Sequence, residues 1–282
     1  MASPSRAVLI TGCSSGIGAA TAERLAGEGW TVYATARRPE TLGELEAKGC
    51  RTLALDVTDE ASMQAAVDAV VAAEGAVGVL VNNAGYSQSG AVESVPMGQV
   101  RRQFETNVFG LLRMSQLVLP GMRAQGWGKI VNISSMGGRL TFPGGGLYHA
   151  TKYAVEALSD ALRFEVRGFG VDVIVVEPGL IVTKFGDVAA GSVSEVSDGG
   201  AYSEFNRRVA QITADAYHGP MAKLGAGPEA VARTISRALR ARRPKARYPV
   251  TASARLMINQ RRLTPDRAWD LIMRSQFPQP KA

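Results

Sequence analysis

Apolar positions in this chain come in short blocks separated by amphipathic stretches. Residues 6–12, "RAVLITG", form a β-branched apolar run stopped by glycine, the pattern of a strand covered on both faces. Similar runs recur at 31–37 ("TVYATAR"), 51–57 ("RTLALDV"), 77–85 ("VGVLVNNAG"), 128–135 ("GKIVNISS") and 171–179 ("VDVIVVEPG"). Helical spacing of apolar residues fills the intervals at 16–30, 39–49, 59–75, 97–126 and 147–170. Gly29 stops the first of these helices and Pro39 opens the second. Strand and helix in strict alternation predict an α/β fold, a doubly wound, Rossmann-like parallel sheet. No repeat or linker divides the chain, so residues 1–282 read as one domain with a core at 6–185.

Beyond residue 185 the pattern weakens. Residues 184–205 are rich in Gly and Ser, and 198–212 read as a lid over a ligand. A helix is expected at 227–242, a further strand at 247–251 and an amphipathic tail helix at 264–277. Trp269, Ile272, Met273 and Phe277 of that tail read as core or interface. The remainder, 186–282, is expected to serve as substrate lid and C-terminal extension.

Composition narrows the class. The chain is 46% hydrophobic and 20% charged, which fits a soluble globular protein. Two cysteines, Cys13 and Cys50, make no disulfide framework and point to a reducing, cytoplasmic setting. No signal-peptide pattern and no apolar run of membrane-spanning length is seen. Net charge is +7, with the excess concentrated at 233–247, "RTISRALRARRPKAR". In the absence of a nucleic-acid-binding motif, that segment reads as a solvated helix end and loop. No metal-ligand spacing occurs among Cys, His and acids.

The first strand runs into "TGCSSGIG" (11–18). A glycine turn opening a helix lets backbone N–H groups approach a pyrophosphate, favoured by the positive helix end. Gly12, Gly16 and Gly18 stand as G-x-x-x-G-x-G, a departure from the G-x-G-x-x-G fingerprint. At the end of the second strand, where NAD-binding folds carry an acid, "ATARRPE" offers Arg37 and Arg38. A guanidinium suits a 2′-phosphate, so the cofactor expected is NADP(H).

"YHATK" (148–152) holds Tyr148 and Lys152 four residues apart, on one helix face. A tyrosine titrates near pH 10 (about) in isolation, and an adjacent ammonium favours the tyrosinate. His149 is turned about 100° from Tyr148 and reads as a packing residue. His218 falls in the lid region, and Cys13 reads as a small residue filling the turn.

These motifs together, with "NNAG" (82–85) and "PG" (178–179) followed by Thr183, resemble the single-domain branch of the short-chain dehydrogenase/reductase family over residues 6–185. The resemblance implies a catalytic set of Asn107, Ser135, Tyr148 and Lys152. Tyr148 would be the general acid/base, and Lys152 would lower its pKa and bind ribose. Ser135 would orient the substrate oxygen, and Asn107 would hold a water in a proton relay. The cofactor set would comprise Gly12, Ser14, Ser15, Gly16, Ile17 and Gly18 in the turn, with Arg37 and Arg38 after the second strand. Asp56 and Val57 would meet the adenine, and Asn83, Ala84 and Gly85 would lie on the cofactor side. Tyr148, Lys152, Pro178, Gly179, Ile181 and Thr183 would complete it, the last two beside the carboxamide.

The activity implied is hydride transfer between nicotinamide and a ketone or secondary alcohol. Apolar Met136, Leu140, Phe142 and Leu147, with residues 86–90, suggest a hydrophobic substrate, and residues 134–166 resemble hydroxysteroid and retinol dehydrogenases of the family. The family also implies a homodimer or homotetramer through its long helices, and neither a nucleic-acid partner nor a membrane span. A nucleotide-sugar epimerase or dehydratase would need a larger C-terminal domain than 180–282 supplies. A non-catalytic NADPH-binding regulator would be expected to have lost part of the Ser/Tyr/Lys set, which is intact.

Overall fold

The computed structural model describes residues 3–194, 200–218, 225–277 and 279–280. Seven strands form one sheet in the order β3-β2-β1-β4-β5-β6-β7, and every pairing is parallel. The strands are β1 (Val8–Ile10), β2 (Val32–Ala36), β3 (Arg51–Ala54), β4 (Val79–Asn82), β5 (Gly128–Ile133), β6 (Val171–Glu177) and β7 (Arg247–Pro249). Neighbours β1 and β4 mark the point where strand order reverses. Loops leaving a parallel sheet at such a point diverge and open a crevice.

Side chains alternate across each strand, and both faces are covered. Val8 and Ile10 pack with Leu25 of α1 (Gly16–Gly27), Leu45 of α2 (Gly43–Ala47), and Ile235 and Leu239 of α9 (Pro228–Arg240). Leu9, between them, turns to Met63 of α3 (Glu60–Glu74), Met114 of α5 (Gly110–Ala124) and Val166 of α6 (Gly146–Val166). Each fully buried aliphatic side chain stabilises the fold by about 1.5–3 kcal/mol in transfer terms.

Four expectations need correction. The helix expected at 39–49 is a 3-10 turn, Pro39–Leu42, followed by the five-residue α2. The stretch 97–126 is not one regular helix: α4 (Met97–Phe104) and α5 flank a π-helical turn, Glu105–Phe109. The weakly patterned 184–212 contains α7 (Phe185–Ser194) and the start of α8 (Ser203–His218), while 195–199 of the expected lid lies outside the described residues. A helix not expected at all, α10 (Ala252–Leu263), precedes the tail helix α11 (Asp266–Gln276).

These late helices make a third core. Leu140, Val193 of α7, Val209 of α8, and Trp269, Met273 and Phe277 at the tail pack together, with Phe142 and Ile272 against them. The tail aromatics are therefore core residues, as expected. Both cysteines are buried and free, and burial pushes Cys13 up to about 12, an inert thiol. The helix 227–242 and the strand 247–251 are present with shorter bounds. The basic segment is solvated only in part. Arg233, Arg237 and Arg240 are exposed on α9, whereas Arg247 turns inward to three carboxylates.

Candidate active site

The glycine turn is held by side chains of the sheet. The Thr11 hydroxyl accepts from the backbone N–H of Asn83 and of Ala84, both at 3.0 Å. Asn83 Nδ2 donates back to the carbonyls of Thr11 (2.9 Å) and Gly12 (3.0 Å). Thr35 of β2 completes the clamp: its hydroxyl donates to Ile10 C=O at 2.8 Å, and its carbonyl accepts from Cys13 N–H at 2.7 Å. Gly12 and Gly16 sit at φ +73° and +60°, a region that strains any side-chain-bearing residue. A Cβ on Gly18 would stand 2.3 Å from Gly12 C=O. Ser14 and Ser15 are exposed at the mouth, and the Ser15 hydroxyl makes no cap bond with α1. The turn thus presents free backbone donors and hydroxyls at a helix N-terminus, a cradle that fits a pyrophosphate.

Around this cradle, Arg37 and Arg38 are exposed beyond β2 and make no ion pair among the described residues. Asp56 follows β3, and its Oδ1 accepts from the Thr58 N–H and hydroxyl at 2.9 and 2.8 Å. Val57 is buried. On the far side, Met136 N–H donates to Pro178 C=O at 2.8 Å, tying the end of β6 to the segment after β5. A Cβ on Gly179 would strike Thr251 Oγ1, so glycine lets α10 approach. Ile181 is buried and bridges to Ala226. The Thr183 side chain lies 3.4 Å from where a Gly16 Cβ would be, so the segment after β6 closes against the glycine turn.

The proton-handling residues converge on the same edge. Lys152 is buried, and its Nζ donates to Ile133 C=O at 2.9 Å while lying 5.7 Å from the Tyr148 ring centroid. Burial pushes Lys152 down to about 8, opposed by the Glu156 carboxylate. Burial also pushes Tyr148 well above its usual range, and the Tyr217 phenol adds to this, while the Ser135 hydroxyl pulls it back. Desolvation is thus the largest influence on Tyr148 in the chain alone, and the group that lowers it is Ser135.

Ser135 Oγ also accepts from Gly137 N–H at 3.0 Å, which fixes its position at the end of β5. Asn107 sits in the π-helical turn and spends its whole amide on neighbours. Its Oδ1 accepts from Tyr86 N–H at 3.0 Å, and its Nδ2 donates to Tyr86 C=O at 2.8 Å and Thr151 Oγ1 at 3.1 Å. A Cβ on Gly85 would lie 3.1 Å from Asn107 Oδ1 and 3.7 Å from Lys152 Nζ. Glycine at the end of "NNAG" therefore lets the loop after β4 meet α6 and the π turn at one point.

Several contributors went unseen in the sequence. Thr151 joins Asn107 to the Tyr148 carbonyl, to which its hydroxyl donates at 2.7 Å. Asn82 Nδ2 donates to Asn132 Oδ1 at 2.9 Å and Ser115 Oγ at 3.1 Å, and Asn132 Nδ2 donates to Ser159 Oγ at 2.9 Å. This buried ladder locks α5 and α6 to the sheet beneath the site. Phe185 at the start of α7 packs its ring 5.5 Å from Tyr148, and a Cβ on Gly186 would strike the Tyr217 ring.

His149 behaves as its position predicts. It is buried, its Nδ1 accepts from Phe142 N–H at 3.2 Å, and Phe142 packs edge-on to it at 5.9 Å. Burial pushes it down to about 4, so it is neutral at physiological pH. His218 ends α8, and its side chain lies outside the described residues. Among the described residues no group of three or more His, Cys, Asp and Glu is placed to hold a metal. No helix among them is long and apolar enough to cross a membrane.

The short chain dehydrogenase family profile matches residues 6–190. The chain is 34% identical over 279 residues to the NADPH-dependent 3-dehydrocapnine reductase of Ornithobacterium rhinotracheale, covering 95% of each. It is 44% identical over 181 residues to the 3-ketodihydrosphingosine reductase of Bacteroides thetaiotaomicron, covering 64% of this chain and 65% of that one. A short-chain dehydrogenase structure from Streptomyces avermitilis superposes with TM-score 0.76 at 35% identity, covering 96% of this chain and 98% of that one. Further similar structures hold different cofactors. Serine dehydrogenase complexed with NADP+ gives TM-score 0.74 at 28% identity, covering 86% of this chain and 93% of that one. A Burkholderia phymatum protein in complex with NAD gives 0.79 at 25%, covering 99% and 98%. With a parallel sheet whose strand order reverses between β1 and β4, this chain belongs to the short-chain dehydrogenase/reductase family and is an oxidoreductase of that fold.

Proposed function

We propose that the chain is an NADP(H)-dependent ketoreductase acting on a carbonyl carried by an apolar molecule. One observation carries the reading: the loop after β4 reaches Asn107 and Lys152 at a single glycine, Gly85, beside the Thr11–Asn83 clamp of the pyrophosphate cradle. Cofactor cradle and proton-handling residues thus share one edge of the sheet.

In this reading the turn Gly12–Gly18, with Ser14, Ser15 and Ile17, holds the pyrophosphate. Arg37 and Arg38 hold the 2′-phosphate, and Asp56 and Val57 face the adenine. Ala84 and Gly85 line the cofactor side, Lys152 binds the ribose, and Pro178, Gly179, Ile181 and Thr183 flank the nicotinamide. Asn83 supports the turn from behind, since its amide is committed to Thr11 and Gly12. The bound cofactor supplies a hydride to the substrate carbon. Tyr148 donates its phenolic proton to the carbonyl oxygen, as general acid. Ser135 donates a hydrogen bond to that oxygen as negative charge grows on it. Lys152 offsets the charge left on Tyr148, which burial otherwise disfavours. Asn107 acts by position, pinning the residue 86 loop to α6 through Tyr86 and Thr151.

The substrate end supports an apolar ligand. Phe185 faces Tyr148 and Phe142 is half-buried against the third core, whereas Leu140, expected to line the pocket, is wholly buried within that core. Two relatives are named for reduction of 3-keto or 3-dehydro compounds, so 3-keto compounds on long alkyl chains lead our test panel. NADPH oxidation over that panel, with steroid, retinoid and small polar ketones alongside, tests the reading. Tyr148→Phe is expected to lower kcat by about 10²–10⁴-fold. Undiminished turnover by that variant would overturn the mechanism, and turnover of polar sugars alone would overturn the substrate class.

A further inference from the structure

On the side of Lys152 away from the glycine turn, four elements bring charge together in the interior. Glu156 follows Lys152 by one helical turn on α6, and its side chain is 7% exposed. Its Oε2 lies 2.9 Å from Arg247 Nε of β7 and 3.8 Å from an Arg139 guanidinium nitrogen in the segment after β5. Arg247 also reaches Asp160 Oδ2 at 2.6 Å and Glu177 Oε1 of β6 at 3.4 Å. The charged groups around Glu156 are Arg139, Glu177 and Arg247, with Lys152 one turn before it and Asp160 one turn after it on its own helix and Arg163 paired to Asp160; the titratable group beside Lys152 itself is Tyr148, whose ring centroid lies 5.7 Å from Nζ. Gly138 makes the approach possible: a Cβ there would lie 3.0 Å from both Glu156 Cγ and Lys152 C=O.

Burying a carboxylate and an ammonium costs several kcal/mol per ion in order of magnitude unless each finds a partner. Lys152 Nζ has one neutral acceptor, Ile133 C=O, and that bond leaves its charge uncompensated. Glu156 is the neighbouring charge that favours the ammonium. Two carboxylates facing one guanidinium cannot both ionise freely. Burial, and then Glu156, push Glu177 up to about 7, and the shorter contact of Arg247 Nε is to Glu156, at 2.9 Å against 3.4 Å to Glu177.

We infer that Glu156, clamped by Arg247 and Arg139, is a positioning residue that keeps Lys152 an ammonium ion through the neutral range. The inference rests on the reading of Lys152 as the residue that holds the cofactor ribose and serves Tyr148. It assigns a task to β7, whose Arg247 reaches into the site from the last strand of the sheet.

NADPH binding followed by nicotinamide fluorescence from about pH 6 to 10 tests this without a known substrate. Wild-type affinity should fall as Lys152 loses its proton, near pH 8. Glu156→Gln should move that fall to lower pH by about one unit, and Glu156→Asp, which keeps the charge, should recover at least half of the displacement. Glu177→Gln, which keeps Glu156, should move the fall by less than Glu156→Gln does, and an equal displacement counts against a particular role of Glu156. A Glu156→Gln midpoint equal to that of wild type, in protein shown folded by its melting curve, overturns the inference. Should that variant not fold, Glu156→Met, an apolar side chain of similar volume, decides by the same reading: the fall should move to lower pH, and a midpoint equal to that of wild type overturns the inference. Lys152→Met separates the two readings. If it leaves NADPH affinity and its pH dependence intact, the functional reading fails. If it removes the alkaline fall while Glu156→Gln moves nothing, only the role of Glu156 fails.

Discussion

The glycine turn and the late helices are held together in opposite ways. The turn, residues 11–18, is held by backbone shape and buried hydrogen bonds, with Thr11, Thr35 and Asn83 spending their polar groups on its peptide bonds. Little can be added to it, because a Cβ at Gly18 meets a carbonyl at 2.3 Å. The late helices α7, α8 and α11 are held by side-chain packing around Leu140, Val193, Val209, Trp269 and Met273. In the proposed reading the first region meets a pyrophosphate, one invariant group, with glycines, and the second meets a substrate with replaceable apolar volume, which tolerates change at modest cost.

The sharpest way to break that contrast is to damage each region by the means suited to the other. Trp269→Ala removes the largest ring of the third core and should cost about 3–5 kcal/mol, read as a lowered denaturation midpoint. NADPH affinity should change little, while KM for an apolar ketone rises. Gly18→Val is the converse. It should cost about 1–3 kcal/mol by overpacking and remove measurable NADPH binding, because the clash is with the turn's own backbone. If Trp269→Ala abolishes NADPH binding and Gly18→Val spares it, the division of labour is wrong.

The same contrast explains what the sequence made legible. The glycine turn, "NNAG" and the Tyr148–Lys152 pair are local patterns whose spacing is set by one strand-to-turn step or one helical turn, so they were readable without the fold. Asn107 was identified by position, but its π-helical turn and its bonds to Tyr86 and Thr151 depend on partners far apart in sequence. Helix α7 was hidden by Gly and Ser in "FGDVAAGSVS", whose helical form is stabilised by the packing of Val193 with Leu140 and the tail. Arg247 looked like one more solvated cation in a basic run, because its three carboxylates come from α6 and β6. Where a residue's role comes from a distant partner, periodicity and composition carry no trace of it.

Cofactor choice is a smaller effect at the outer rim of the cradle. Arg37 is exposed beyond β2, so Arg37→Asp should leave the fold intact and act on binding alone. Losing a charge-assisted hydrogen bond of about 1.5–3 kcal/mol should lower the preference for NADPH over NADH by about 10–100-fold, read as the ratio of kcat/KM values. An unchanged ratio would show that the 2′-phosphate is recognised elsewhere.

The smallest effect on turnover belongs to His149, which stands between the two regions on α6. Its imidazole accepts from Phe142 N–H and lies ring to ring beside Tyr148 at 5.8 Å, a packing contact and not a hydrogen bond, so His149→Gln should keep kcat within a few-fold of wild type. Its signature should be in stability. Burial holds the folded-state value at about 4, below the roughly 6.5 of an unfolded chain, so the folded protein keeps it neutral while the unfolded chain takes up a proton. The contribution of neutral His149 is therefore fully present above about pH 6.5 and is lost as pH falls toward 4. Melting curves at pH 7.5 and 5 should show a smaller loss of stability on acidification for His149→Gln than for wild type. Equal losses would mean that His149 is protonated in the fold, and its place as a neutral packing residue beside Tyr148 would have to be given up.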